Sequence, residues 1–136
     1  NEAIFGKQQI YNEQDQVCGT EPNLLINATE ISFDGLWELV RSYGGVMFPA
    51  HVDKTANSLI ANLGFIPPDS RFRTAEVKDL KKLHQLQKDN PYLDKCRIIS
   101  NSDAHYLEHM NEPELTLQVE EKTVQGIIDA LLDGAG

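Results

Sequence analysis

Gly44-Gly45-Val46-Met47-Phe48-Pro49-Ala50-His51-Val52-Asp53 decides the reading of the fold. Two glycines close whatever precedes them, and the apolar run Val46–Ala50 is too short for a helix, so it reads as a buried strand of the parallel kind. That strand delivers His51 at its carboxyl end. Upstream, Phe33, Leu36, Trp37, Val40 and Tyr43 recur at helical spacing after the cap candidate Ser32, which predicts a helix ending at Gly44-Gly45.

Downstream the alternation continues. Residues 56 to 63 read as a short helix closed by Gly64, and Pro67-Pro68 then imposes an extended connection. A second strand is expected from about Thr74 to Lys78. A helix marked by Leu80, Leu83 and Leu86 follows and breaks at Asn90-Pro91. Arg97-Ile98-Ile99-Ser100 reads as a third strand running into Asn101-Ser102-Asp103-Ala104-His105. Leu115, Leu117 and Val119 alternate with Thr116 and Gln118, the pattern of a fourth strand with one polar face. Val124, Ile127, Ile128, Leu131 and Leu132 form a last helical stripe between the cap Thr123 and the stop Gly134. Strands alternating with helices imply right-handed crossovers and an α/β parallel sheet or barrel, with functional groups beyond the strands' carboxyl ends. Residues 1–30 are different in character. Gln9-Ile10-Tyr11 and Gln16-Val17-Cys18 flank a turn-prone Asn12–Asp15, which suggests a hairpin-like arm or insertion ahead of a domain over 31–136.

Composition narrows the function. The 136 residues carry 12 Lys plus Arg against 21 Asp plus Glu, a formal charge of −9, which disfavours a surface built to neutralise nucleic-acid phosphates. Cys18 and Cys96 stand far apart without metal-ribbon spacing, and reduced, cytoplasmic thiols are expected. No apolar run approaches the roughly 18 residues of a membrane span.

His51 and the Asp103–His105 pair are thus expected on one rim. Imidazole and carboxylate are ligands for zinc, manganese or iron, and such ions lower the pKa of a bound water toward neutrality, so that no side-chain nucleophile is needed. Gly44–Asp53 resembles the late histidine motif of PHP (polymerase and histidinol phosphatase) phosphoesterases, and Ile99-Ser100-Asn101-Ser102-Asp103-Ala104-His105 resembles their closing Ser-Asp-x-His motif. Order and separation agree, and the likeness spans about residues 30 to 110, including Asn62–Pro68.

The resemblance implies the C-terminal portion of a distorted (βα)7 barrel that hydrolyses phosphate esters with two to three divalent metal ions. Carried over by motif, His51, Asp103 and His105 are metal ligands, and a metal-activated water is the only catalytic group. The family's opening His-x-His pair, its next histidine and its bridging glutamate have no counterpart in this sequence. They are expected upstream of Asn1, so this chain by itself is expected to bind metal weakly and hydrolyse little. Lys54 is a candidate to meet a substrate phosphate. Glu76 lies where it could support a ligand, while His84 and His109 read as surface residues. A small phosphorylated substrate is preferred over nucleic-acid ends, and open edges make self-association of the chain plausible. The competing reading is a PHP-derived binding scaffold without catalysis.

Overall fold

The computed structural model describes residues 2–113 and 115–134. Asn1, Glu114, Ala135 and Gly136, which fall within the expected domain spans, lie outside the described residues. The chain divides into two compact units, residues 1–32 and 33–136.

The first unit holds a short helix α1 (Glu2–Phe5) and an antiparallel hairpin, β1 (Gln9–Tyr11) and β2 (Val17–Thr20). The turn between the strands is built by Asn12, whose side-chain Oδ1 accepts the main-chain N–H groups of Gln14 and Gln16, both at 3.0 Å. Asp15 takes a left-handed φ of 58° there. Gln8 binds the following segment with both ends of its amide. Its Nε2 donates to the carbonyls of Glu21 and Asn23, at 3.1 and 2.7 Å, and its Oε1 accepts the N–H of Leu25 at 2.9 Å.

In the second unit, α2 (Phe33–Ser42) ends as the two glycines dictate. Gly44 has φ +74°, its N–H donates to Arg41 O, and the N–H of Gly45 reaches back to Val40 O, the paired bonds of a Schellman motif. Helix α3 (Leu59–Leu63) is capped by the Ser58 hydroxyl, which accepts from the Ala61 N–H, and is closed by left-handed Gly64. It is shorter than the helix expected over 56–63, because that cap sets its start.

Strand β3 (Thr74–Glu76) pairs in parallel with β4 (Arg97–Ile99), joined by a crossover through a 3-10 turn (Leu80–Lys82), helix α4 (Leu83–Asp89) and a second 3-10 turn (Pro91–Lys95). The expected strand at 46–50 is not a regular strand. It still runs beside β3: Glu76 N–H donates to Pro49 O at 3.0 Å and Val52 N–H to Glu76 O at 2.8 Å. His51 lies between those two bonds with φ +32°, so the extra residue bulges out of the ladder and interrupts it.

The expected strand at 115–119 is also absent, and a cleft of about 290 Å³ separates Leu115–Leu117 from the outer edge of β4. Alternation alone did not secure pairing there. Helix α5 (Val124–Asp133) starts where Thr123 Oγ1 accepts the Gly126 N–H. Its last turn is tied to the base of the sheet: Thr74 Oγ1 donates to Leu131 O at 2.6 Å, and Arg97 Nε to Ala130 O at 2.9 Å.

The core gathers Val52, Ile66, Phe72, Ala75, Val77, Tyr92, Leu93 and Cys96, with Phe33 and Trp37 of α2 packed onto it. Phe72 is fully buried and meets Phe33 edge-on, with ring centres 6.2 Å apart. Among the described residues no helix is long and apolar enough to cross a membrane.

Candidate functional site

Three segments end at the same rim, beyond the carboxyl ends of the parallel pair: 49–54, 77–79 and 100–103. Each is pinned by main-chain or side-chain bonds to its neighbour. Val77 N–H donates to Ile99 O at 2.9 Å, extending the β3–β4 pairing by one step. Asp53 receives the N–H groups of Lys78 and Asp79 on its two carboxylate oxygens, at 2.8 and 2.9 Å. Burial raises the Asp53 pKa, but those N–H bonds, its own N–H and the charge of Lys82 outweigh it and leave the group below the usual carboxylate value.

His51 and Asp103 both occupy left-handed backbone positions, with φ of 32° and 52°. Such positions are uncommon outside glycine, although asparagine, aspartate and histidine adopt them more readily than other side chains. His51 N–H points to Glu76 Oε2 at 3.3 Å, and its ring atom Nδ1 is buried without a hydrogen-bond partner. Glu76 is itself buried, so its carboxylate supports the loop that carries His51.

Asp103 is the electrostatic centre of the rim. Lys54 Nζ lies 2.8 Å from Asp103 Oδ2 and Lys78 Nζ lies 3.8 Å from the same oxygen. The Lys54 hydrogen bond lowers the Asp103 pKa. Burial opposes it, and the charges of Lys54, His51 and Lys78 add to the lowering. His105 Nε2 is 3.9 Å from Asp103 Oδ1, yet its side chain is 81% exposed. His84 and His109 are exposed as expected, and His109 stands edge-on to Tyr106, with ring centres 5.3 Å apart.

The structure therefore brings His51, Asp103 and Lys54 to one place and leaves His105 at its margin. Lys78, which the sequence reading passed over, belongs to the cluster. The available signal was its position two residues past the end of β3, beside the rim.

The donor set fits a divalent cation in part. A buried imidazole nitrogen without a partner and an ionised carboxylate are suitable ligands. Among the described residues, however, no three His, Cys, Asp or Glu side chains gather closely enough to hold an ion. His51 and Asp103 can supply part of a coordination shell, and they do not close one. No family model matches the chain, and neither does any curated protein or solved structure.

Proposed function

We propose that this chain is the C-terminal part of a PHP-type barrel and contributes to a metal-dependent phosphoesterase acting on a small phosphorylated metabolite or nucleotide in the cytoplasm. The observation that carries the reading is the meeting of His51 and Asp103, 52 positions apart in sequence. Both stand on left-handed backbone at one rim, and the imidazole keeps a buried nitrogen free of any partner. Backbone strain of this kind is retained where the surroundings fix a side chain's aim, and it gathers at functional sites.

Divalent ions at such a rim supply a water ionised near neutral pH and positive charge for the phosphate oxygens. The chain's own residues do the remainder. His51 and Asp103 present donors, Glu76 steadies the His51 loop through the His51 N–H, and Asp53 fixes the main chain that carries Lys78. Lys54, whose ammonium rests on Asp103, is the residue we assign to meet a substrate phosphate as a point charge. The formal charge of −9 favours a small substrate over a long nucleic acid.

Equilibrium dialysis with manganese(II) and zinc(II), paired with hydrolysis of a chromogenic phosphate monoester, tests the reading. We expect weak binding by the wild-type chain that is lost in both His51→Ala and Asp103→Asn, with any hydrolysis following the bound metal. Binding that both substitutions leave intact would overturn it. A non-catalytic scaffold is the second reading. It is favoured by the ammonium seated on Asp103 and by the lack of a three-donor cluster among the described residues.

A further inference from the structure

We propose that residues 115–119 are a strap that closes on the free outer edge of β4 as an antiparallel strand, with Leu117 opposite Ile98, and that the structure holds its open form. The inference goes beyond the reading of the rim and stands whatever binds there.

The edge is open by the geometry of its ladder. Arg97 N–H donates to Arg73 O at 2.7 Å and Val77 N–H to Ile99 O at 2.9 Å, so Arg97 and Ile99 turn their main-chain groups toward β3. Ile98, between them, turns its N–H and C=O to the other side, where β4 has no paired strand among the described residues. Neither proline nor lysine guards these three positions, and the one cation, Arg97, is bonded through Nε to Ala130 O. An unguarded strand edge of this kind invites a partner strand.

The partner stands across the cleft. Residues 115–117 form one wall of the roughly 290 Å³ space whose other wall is residues 97–101, with Leu131 between. Leu115 also shares a hollow with residues 100–102, whereas Gln118 and Glu120 share one with Arg97. The segment therefore runs opposite to β4, and the match of Leu115 with Ser100 and of Gln118 with Arg97 sets Leu117 against Ile98. Its burial already alternates as a strand's does: Leu117 and Val119 are half-buried, Thr116 and Gln118 exposed. In this register Leu117 shares a face with Ile98, whose side chain packs on the core.

Closure has a consequence for the rim. The excursion that carries Asp103 and His105 leaves from the end of β4, and pairing of 115–119 ties its return to the same strand. His105, 81% exposed at the margin, is then presented by a segment fixed on both sides.

Amide hydrogen exchange of the full chain, followed residue by residue by NMR, tests the strap. In an antiparallel pair two opposed residues exchange both main-chain bonds, while their neighbours point away. We expect the amides of Ile98 and Leu117 to exchange at least about tenfold more slowly than those of Thr116 and Gln118, after correction for intrinsic rates. Leu117→Pro, which removes one donor of the pair, should return the Ile98 amide to the fast rate. Leu117 exchanging as fast as its neighbours overturns the proposal, and so does an Ile98 amide that stays protected in Leu117→Pro. Protection that appears only as protein concentration rises assigns the edge to a second copy of the chain and overturns it as well. Should Leu117→Pro fail to fold, the alternation from Thr116 to Gln118 in the wild-type chain decides alone.

Discussion

The Asp53 carboxylate holds the main-chain N–H of Lys78 at 2.8 Å, and its other oxygen takes the N–H of Asp79 at 2.9 Å. One side chain thereby joins the turn after His51 to the turn after β3, and it sets where Lys78 stands relative to Asp103. Asp53→Ala leaves two main-chain donors without their acceptor and is expected to cost about 1–2 kcal/mol. Urea unfolding followed by the fluorescence of Trp37, the chain's single tryptophan, which packs on the core, measures it. Asp53→Asn, which keeps one acceptor oxygen, should recover part of the loss. Equal stability of the alanine variant and wild type would show that the staple contributes nothing.

Tyr92 buries its ring against Phe72, with ring centres 4.9 Å apart. Its hydroxyl is shared between the carbonyls of Ser70 and Phe72, the latter at 2.7 Å. Burial raises the pKa of this phenol. Tyr92→Phe should cost about 1–2 kcal/mol through the carbonyls it strands. Phe72→Ala should cost about 3–5 kcal/mol, through lost transfer energy and the cavity it leaves. The same urea experiment ranks them, and a phenylalanine variant as damaging as the alanine variant would contradict this assignment.

Gly134 closes α5 with φ +80° and ψ −152°, a conformation that belongs to glycine. A Cβ there would also stand 2.9 Å from Lys95 O and 3.1 Å from Arg73 O. Gly134→Ala is therefore expected to destabilise by about 1–3 kcal/mol. The damage should appear as faster hydrogen exchange along α5 and at the base of β3 and β4.

Cys96 is buried while Cys18 is exposed, and burial, opposed in part by the charges of Lys95 and Arg73, pushes the Cys96 thiol up to about 11. Iodoacetamide should modify Cys18 in the native protein and reach Cys96 only after unfolding. A folded thiol that ionises at about 11, against about 8.5 unfolded, contributes stability that is complete below the unfolded value and lost as pH rises through the folded one. Cys96→Ala should flatten that alkaline decline. Rapid native alkylation of Cys96 would show that the core opens around it.

Much of the local structure was legible because it is decided by groups close together in sequence. Gly44 ends α2 and Gly64 ends α3, each supplying a left-handed residue that other side chains adopt only at a cost. Thr123 caps α5 because its hydroxyl reaches the N–H of Gly126, three residues on. Asn12 builds the hairpin turn for the same reason. The candidate site was legible in part: spacing placed Asp103 just past β4 and His51 past an apolar run that forms no regular strand, and the structure puts both on a common rim. It did not reveal Lys78, whose neighbour on that rim is 25 residues away in sequence.

Sequence by itself determined the Thr123 cap, the glycine stops of α2 and α3, the hairpin turn, the parallel crossover from β3 to β4 and the order in which polar residues follow apolar runs. Only the tertiary structure decided which apolar runs become ladders and which charges meet. Residues 46–50 and 115–119 carry strand-like patterns, but a ladder needs a partner in register. The bulge at His51 interrupts one, and the other finds no ladder partner, since β4 pairs only with β3 among the described residues. In the same way, Asp103 was a predicted ligand from its motif, and only the chain's return across 49 residues put Lys54 on it, because long-range electrostatic partners are fixed by packing and not by local spacing.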